Sequence, residues 1–554
     1  MVVLVPQVSS RKGYSRKKLR SNSVYVAFGG GVGQFGANFT VFSFHGTNLW
    51  IDAGIGFANW QTPGLEKYLP DFNVMKSFSP DAIILTHAHE DHIGAMPYLT
   101  ELIPQNTPVY LSEFTKEFLS IKMKEAGVGE FPLDYHVLKR NTEFTIGDFH
   151  IRNFFMPHSI PQTFSVGMSI KALKKKLYFT SDFKIAGSEP RHSRNDIIKF
   201  GPVDYCFIDS TGSTIAGETP PEREAIRNLK EAIESHHGRI FVTTFSSQIE
   251  RIRAIYETAL KLSRPVGILG MSIKSQLKAA YASGEFPYPP DELRDPSPKN
   301  KRAIWLVAGC QADERSAFRR LSDGEIPKIQ LTPEDMLIYS SSMIPGNEAG
   351  IYDALNKIAD AGVKIIGLDR SKKILHASGH GRREDIFKLL SWLAPRFVIP
   401  VHGDPIHFRE FEEICQKLPT PPKVEMVTTN QVFRLYRGVH AEEKIPILRP
   451  YMEGSEIHYD SALYDLRRTL SSHGVCLVIL SQKKNSLKDL QYIACASAEH
   501  IEQKLPALLQ EASEIIDNVM NSDSSKKEKK IREKIYKLNG RELRKYPYVH
   551  IIWT

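Results

Sequence analysis

The chain has 554 residues, 42% of them hydrophobic, and carries 72 Lys and Arg against 63 Asp and Glu, for a net charge of +9. That length calls for two or three domains with ordinary cores, and no apolar run approaches membrane-spanning length, so no membrane role is expected. The charge surplus suits an anionic partner without identifying one.

The five cysteines, Cys206, Cys310, Cys415, Cys476 and Cys495, are scattered and form no C-x-x-C pair. This argues for a reducing compartment and against a disulfide framework. Met1–Val5 is apolar, but the charges come after it and no long apolar stretch follows, so a secretory signal is not expected.

Residues 1–22 read as a basic tail, with Arg11, Lys12, Arg16, Lys17, Lys18 and Arg20 uninterrupted by any acid. Such an arm is either merely solvated or a non-specific contact for phosphates. Gly31-x-Gly33-x-x-Gly36 spells a dinucleotide fingerprint, but that motif needs a helix directly after it. Here Asn38–Phe44 alternates polar and apolar, which is a strand. The glycines are therefore expected to let a loop pass close to a site. Leu49-Trp50-Ile51 is a second strand and ends in Asp52.

The densest signal follows. Ala82-Ile83-Ile84-Leu85 reads as a buried strand, and Thr86-His87-Ala88-His89-Glu90-Asp91-His92 comes directly after it. His87 and His89, two apart, can converge on one ion from an extended segment, while Asp91 and His92 can serve a second ion as the chain turns. Imidazole and carboxylate without nearby cysteine is the donor set of a hydrolytic Zn²⁺ or Mn²⁺ centre. Two more strand ends deliver His158 and Asp182: a third imidazole for one ion, and a carboxylate able to bridge two.

From Asp209 to about residue 365, helical patterns (Pro221–Ser235, Ile249–Leu262) alternate with short apolar runs (Gly238–Thr243, Ile304–Val307, Met336–Tyr339), as in an α/β insertion. Within it, Pro287–Lys301 reads as a Pro-rich charged loop. His376-Ala377-Ser378-Gly379-His380-Gly381 then precedes an amphipathic helix over 384–393, and the strand Phe397–Val401 ends in His402-Gly403-Asp404. The segments 419–422 and 437–450 read as connectors. Beyond about residue 455 the pattern predicts a small α/β unit: strand 475–480, helix 500–518, charge-dense helix 526–538 and strand 549–553. No internal repeat is present.

Together these motifs resemble the metallo-β-lactamase superfamily in its β-CASP nuclease branch. Asp52, the His87–His92 cluster, His158 and Asp182 match the superfamily motifs in order, and Asp209, His380 and His402 match those added by the branch. Within it the chain is most similar to the ribonuclease J family, through Thr243–Ser247, Ser341–Glu348, His376–Gly381 and Pro400–Gly403, and at the C-terminal end through Asp465–Leu470. The resemblance implies an α/β fold: a metallo-β-lactamase αββα sandwich with an inserted β-CASP α/β domain and a small C-terminal α/β domain. The implied boundaries are a tail over 1–22, the first part of the sandwich over 23–208, the insertion over 209–368, the rest of the sandwich with a linker over 369–450, and the C-terminal domain over 451–554.

The resemblance assigns His87, His89 and His158 to one divalent ion and Asp91, His92 and His402 to another, with Asp182 bridging. The ions would be Zn²⁺ or Mn²⁺, two per chain. Asp52 would orient a ligand histidine through its free ring N–H. His380, polarised by Asp209, would be the general acid. Phe245, Ser246, Ser247, His376, Ala377, Ser378, Gly379 and His380 would bind backbone phosphates. Three departures stand out: Gly309-Cys310-Gln311-Ala312-Asp313-Glu314 replaces a Gly-Ser-Gln-Gly-Glu-Pro-like loop, Glu250 replaces a histidine, and Asp404 replaces a glutamate. The implied activity is cleavage of single-stranded RNA, both internal and 5′-to-3′, in RNA maturation and decay. The implied setting is a cytoplasmic homodimer or homotetramer, joined through the C-terminal domain, with RNA-degradation partners and no membrane. The competing readings are a DNA nuclease of the same branch and a small-molecule ester or lactone hydrolase.

Overall fold

Runs rich in Val, Ile and Phe, bounded by Gly and Asp turns, become the strands of a two-layered sandwich. The computed structural model describes residues 22–57, 65, 67–129, 131–185, 190–290, 295–344, 346–368, 373–453, 456–459, 461–495, 498–522 and 526–554. Apart from Asn22, the basic tail lies outside them. The chain separates into two compact units, and Tyr451–Thr554 belongs to the second.

In the first unit, the described residues form an eight-stranded sheet. Its order is Val439–Lys444, Gln431–Leu435, Val24–Gly30, Phe39–Phe44, Thr47–Ile51, Ala82–Ile84, Pro108–Leu111 and Asp134–Val137. Against it packs a seven-stranded sheet ordered Lys423–Val424, Phe397–Val401, Tyr205–Asp209, Lys175–Phe179, Phe164–Ile170, Phe149–Phe155 and Glu143–Ile146. One continuous core joins the two faces. Phe42 meets Phe207 edge-on, with ring centroids 5.0 Å apart, and Phe28 meets Phe433 at 6.4 Å. Each such pair adds about 1 kcal/mol beyond its buried area. The outer face of the second sheet is covered by helices Arg383–Leu393 and Pro405–Gln416, whose Ile386, Leu389, Leu393 and Phe411 pack on Phe154, Tyr178 and Val398.

The insertion has its own sheet of five parallel strands among the described residues, ordered Val266–Leu269, Ile304–Val307, Ile240–Thr244, Met336–Ser340 and Lys364–Ile366. The crossovers between them include helices Ile249–Lys261, Met271–Ala282 and Glu348–Asp360, and helix Glu222–Glu234 leads into the strand Ile240–Thr244. Parallel strands need such long connections, which explains the strand–helix alternation of the sequence.

One sequence expectation is corrected. The segment read as a connector, 437–450, contains the strand Val439–Lys444, paired antiparallel with Gln431–Leu435 at the sheet edge. Its residues are almost all exposed, so no apolar alternation marks it. Main-chain pairing holds it in place, with Arg434 Nε 2.5 Å from Glu442.

In the second unit, helices Ala498–Met520 and Lys527–Leu543 cover one face of the sheet Ser486–Ile493, Val475–Ser481 and Tyr548–Trp553. Cys476, Val478 and Leu480 alternate inward from the central strand. No helix among the described residues is long and apolar enough to cross a membrane.

Candidate metal centre

Strand ends from both sheets meet at one cleft. Asp52 follows Thr47–Ile51 directly, His402 follows Phe397–Val401 directly, and Asp209 closes its own strand. His87, His158 and Asp182 each come three residues after a strand. Asp52, Ser181 and His402 hold left-handed φ angles of 61°, 53° and 54°. For residues with a Cβ this costs roughly 1 kcal/mol or more each, a strain that clusters at functional sites. His89 caps the short helix Glu90–Ile93. That helix is pinned by main-chain bonds from Asn38 N to Asp91 O and from Ala53 N to His92 O, at 3.0 and 2.7 Å. A Cβ at Gly54 would overlap the Asp91 carbonyl, so only glycine fits there. The Gly31–Gly36 loop does run beside the cleft: Gly31 O accepts the His402 N–H at 2.7 Å.

The potential ligands form three overlapping groups, and Asp182 belongs to all of them: with His87, His89 and His158; with Asp91, His92 and His402; and with Asp209, His380 and His402. In the first, His89 Nδ1 lies 3.0 Å from His87 Nε2 and 3.1 Å from His158 Nε2. Asp182 Oδ2 stands 3.7 and 3.6 Å from those two Nε2 atoms. Tetrahedral Zn²⁺ with nitrogen ligands needs donors about 3.3 Å apart. In the second group, His402 Nε2 is 3.0 Å from Asp91 Oδ2, and His92 Nε2 is 3.3 Å from Asp182 Oδ2.

Electrostatics separates the groups. Burial drives the His87 and His158 imidazoles well below their usual pKa and that of His89 to about 4. Burial thus favours their neutral form, the one that metal ligation requires. Burial also pulls on His92 and His402, but for His92 Asp182, Asp91 and Asp52 outweigh it, and for His402 Asp182, Asp209 and Asp91 do, so both are held well above the usual value. Burial likewise pushes up the carboxyls of Asp91, Asp182 and Asp209, and the neighbouring imidazoles overcome it and hold all three down. Buried carboxylates that collect protons on neighbouring imidazoles are the environment a cation satisfies. The donor chemistry and spacing suit divalent-metal binding.

Surrounding groups fix the rings. His92 Nδ1 lies 2.8 Å from Asp52 Oδ2, and Asp52 also accepts the Thr86 N–H and O–H. His158 Nδ1 donates to Gly379 O at 2.7 Å, and a Cβ at Gly379 would stand 2.6 Å from that imidazole. His380 Nδ1 lies 2.8 Å from Asp209 Oδ2 and its Nε2 3.8 Å from Asp182 Oδ2. Burial lowers the His380 pKa, and Asp209 with Asp182 raises it above normal on balance.

Of the proposed phosphate-binding residues, Ser247 reaches the centre, with Oγ 3.0 Å from His89 Nε2. Ser246 Oγ pairs instead with Ser272 Oγ at 2.8 Å. Phe245 lies beside His376, with ring centroids 5.9 Å apart. Ser378 Oγ accepts the His380 N–H at 3.1 Å and Ser378 O accepts from Lys184 Nζ at 3.1 Å, while Ala377 O faces Arg251 Nη2 at 3.5 Å. Glu250, one of the departures, is exposed at the surface, where desolvation by its surroundings, with Glu222 nearby, raises its carboxyl pKa. Asp404 caps the helix Pro405–Gln416.

Sequence reasoning passed over several residues. Asn38 Nδ2 lies 3.2 Å from Asp91 Oδ2 and 3.0 Å from His92 Nε2, and Thr211 Oγ1 lies 2.7 Å from His402 Nδ1. Fully buried Arg251 binds Glu222 through Nε and Nη2 at 2.7 and 2.9 Å, and reaches Ser340 O and His376 Nδ1 through Nη1 at 2.8 and 3.0 Å. Its signal was an arginine inside the apolar stripe of the helix Ile249–Lys261. Gln311, in the altered loop, donates to Ser342 O and accepts from Ile344 N, both at 2.8 Å.

Comparison with known proteins follows this geometry. The model of the ribonuclease J β-CASP domain matches residues 237–358, that of the β-lactamase superfamily domain residues 47–294, and that of a Zn-dependent metallo-hydrolase RNA specificity domain residues 370–424. Ribonuclease J of Sinorhizobium meliloti is 30% identical over 481 residues, 83% of each chain. Ribonuclease J of Helicobacter pylori is 25% identical over 557 residues, spanning 95% of this chain and 79% of that one. A crystal structure of a protein of unknown function from Enterococcus faecalis V583 shares the fold, with a TM-score of 0.52 at 15% identity over 74% of this chain and 100% of that one. On these likenesses the chain belongs to the ribonuclease J family, within the metallo-β-lactamase superfamily.

Proposed function

We propose that this chain hydrolyses phosphodiester bonds of single-stranded RNA with two divalent ions, cutting internally and also stepwise from a 5′ end. The observation that carries the reading is Asp182, shared by a three-histidine group and a mixed histidine–carboxylate group. His87, His89 and His158 would hold one ion and Asp91, His92 and His402 the other, with Asp182 between them. When bound, Zn²⁺ or Mn²⁺ supplies Lewis acidity at the phosphate oxygens and acidifies attacking water.

The protein's own groups do the rest. Asp52 accepts the Nδ1 proton of His92 and Gly379 O that of His158, so each ring turns its Nε2 lone pair inward. Ser247 fixes His89 from its far side. His380, kept protonated by Asp209, donates its Nε2 proton to the departing 3′ oxygen as the P–O3′ bond breaks. Water adds to phosphorus, leaving a 5′-phosphate on one fragment and a 3′-hydroxyl on the other. Hydroxyls and main-chain groups of Phe245–Ser247 and His376–Gly379 would bind backbone phosphates, which carry little sequence information. The same reading places the enzyme in the cytoplasm as a homodimer or homotetramer joined through its C-terminal domain.

Matched RNA and DNA strands, each labelled at either end, test this. RNA should yield both internal fragments and mononucleotides released from the 5′ end, and EDTA should stop both. DNA cleaved as fast as RNA would overturn the assignment to RNA.

A further inference from the structure

We propose that the C-terminal unit carries a second contact for single-stranded RNA, formed by the helix Lys527–Leu543 and the tyrosines beside it. The inference rests on RNA being the substrate. Ile531, Ile535, Leu538, Asn539 and Leu543 are the buried side of this helix. At 3.6 residues per turn, Lys530, Lys534, Lys537 and Arg541, spaced i, i+4, i+7 and i+11, form a separate stripe, and all four are exposed.

Charge compensation differs between the flanks. Arg532 faces Glu528 at 3.3 Å and Lys529 faces Glu533 at 3.9 Å. Arg541 is held by Glu511 and Glu542. Among the described residues, Lys530, Lys534 and Lys537 have no ion-pair partner.

The arc continues into aromatic surface. Tyr546 lies against Gly540, where any Cβ would collide with its ring. Its centroid is 5.1 Å from that of Tyr536, with the planes inclined at 38°, and each tyrosine is 44% exposed. Around the helix, Lys537 falls between this ring pair and the rest of the stripe. Exposed Arg544 caps the C-terminal end of the same helix.

Spaced uncompensated cations beside bare aromatic rings match single-stranded RNA, whose phosphates take the charges and whose bases stack on the rings. An acidic peptide or an anionic lipid surface would use the lysines but has no need of the rings. Because the patch and the metal centre share one chain, occupying one makes the other intramolecular, so long RNA gains affinity over short RNA.

The test uses the full chain with EDTA present, so that RNA binds without being cut. Anisotropy across a salt series compares Lys530→Gln/Lys534→Gln/Lys537→Gln and Tyr536→Ser/Tyr546→Ser with the unmodified protein. On an RNA of about 30 nucleotides, the lysine variant should bind roughly tenfold more weakly and lose about 2 from its log–log salt slope, at about 0.7 per phosphate contact. The tyrosine variant should lose roughly tenfold with its slope unchanged. With metal restored, kcat/KM on a tetranucleotide, which has too few phosphates and bases to fill the cleft and a patch of three lysines and two rings together, should match the unmodified protein for both. Unchanged affinity and slope in the lysine variant overturn the proposal, as does an equal loss on the tetranucleotide. So does loss of binding to phosphatidylserine vesicles with RNA affinity intact, which assigns the stripe to lipid. An unmodified protein that cuts no RNA would instead sink the functional reading.

Discussion

The metal cleft and the loops Phe245–Ser247 and His376–Gly379 are both proposed to meet RNA but are built in opposite ways. In the cleft, the key groups are side chains at strand ends and on the short helix Glu90–Ile93, several of them gripped from behind by another group, as Asp52 grips His92. In the loops, the main chain is the proposed phosphate-binding surface, and a buried side chain, Arg251, ties several segments together behind it. Damage to the cleft should therefore appear in chemistry with the fold intact, and damage behind the loops in stability.

The sharpest break is Asp182→Asn. It removes the carboxylate common to all three ligand groups, so cleavage should fall by more than about a thousandfold, some 4 kcal/mol. The ion content should drop below two per chain, while the circular dichroism spectrum stays that of the unmodified protein. Near-normal turnover would rule out the shared-carboxylate mechanism.

His380→Gln tests the acid without touching the proposed ligands. The kcat should fall by about 10²–10⁴. The sign of the pH dependence follows from the raised pKa of His380: the ring must carry its proton to act, so kcat in the unmodified protein declines as pH rises through a value above 6.5. The variant should lack that alkaline decline. If it kept the same decline, another group would be the acid.

Behind the loops, Arg251→Met should cost about 3 kcal/mol of stability, because Glu222 is left as a buried charge with only Lys184, 3.8 Å away, as partner. Burial raises the Glu222 pKa, and Arg251 outweighs burial to hold it below 4.5. A carboxylate held low stabilises the fold above its unfolded pKa and loses that contribution as pH falls through its folded pKa. Without Arg251, Glu222 takes up a proton readily, so the deficit in thermal stability should be largest near neutral pH and shrink below about pH 4. A deficit independent of pH would mean that lost packing, not charge, dominates.

The same contrast explains what the sequence could tell. His87, His89, Asp91 and His92 were legible because four donors in six residues after an apolar run have few other reasons to occur together. The α/β character of the insertion was legible because three of its strands are short apolar runs separated by helices, while the strands Val266–Leu269 and Lys364–Ile366 were not read. The edge strand Val439–Lys444 was not, since exposure on both faces removes the period of two. Nor were Asn38, Thr211 and Arg251, whose partners lie 54, 191 and 125 residues away in the chain. The left-handed angles at Asp52, Ser181 and His402 carry no residue signal either, because none of them is glycine.

The smallest effect belongs to the loops themselves and concerns the 5′ end. An exonuclease starting there must hold the terminal phosphate one nucleotide from the ions. A monophosphate is compact; a triphosphate is longer and more highly charged, and a closed pocket excludes it by size. RNA with a 5′-monophosphate should therefore be degraded faster than its triphosphorylated counterpart. Ser378 is the cleaner probe of this pocket. Truncating His376 would also strip Arg251 of a partner, whereas the Ser378 hydroxyl accepts the His380 N–H within its own turn. One hydrogen bond within the pocket is worth about 1 kcal/mol, so Ser378→Ala should reduce the monophosphate preference roughly fivefold and leave internal cleavage of a structured RNA nearly unchanged. Paired decay rates of the two 5′ forms measure it. Equal rates in the unmodified protein would remove the pocket and leave internal cleavage, which needs no terminus, as the activity of the same metal centre.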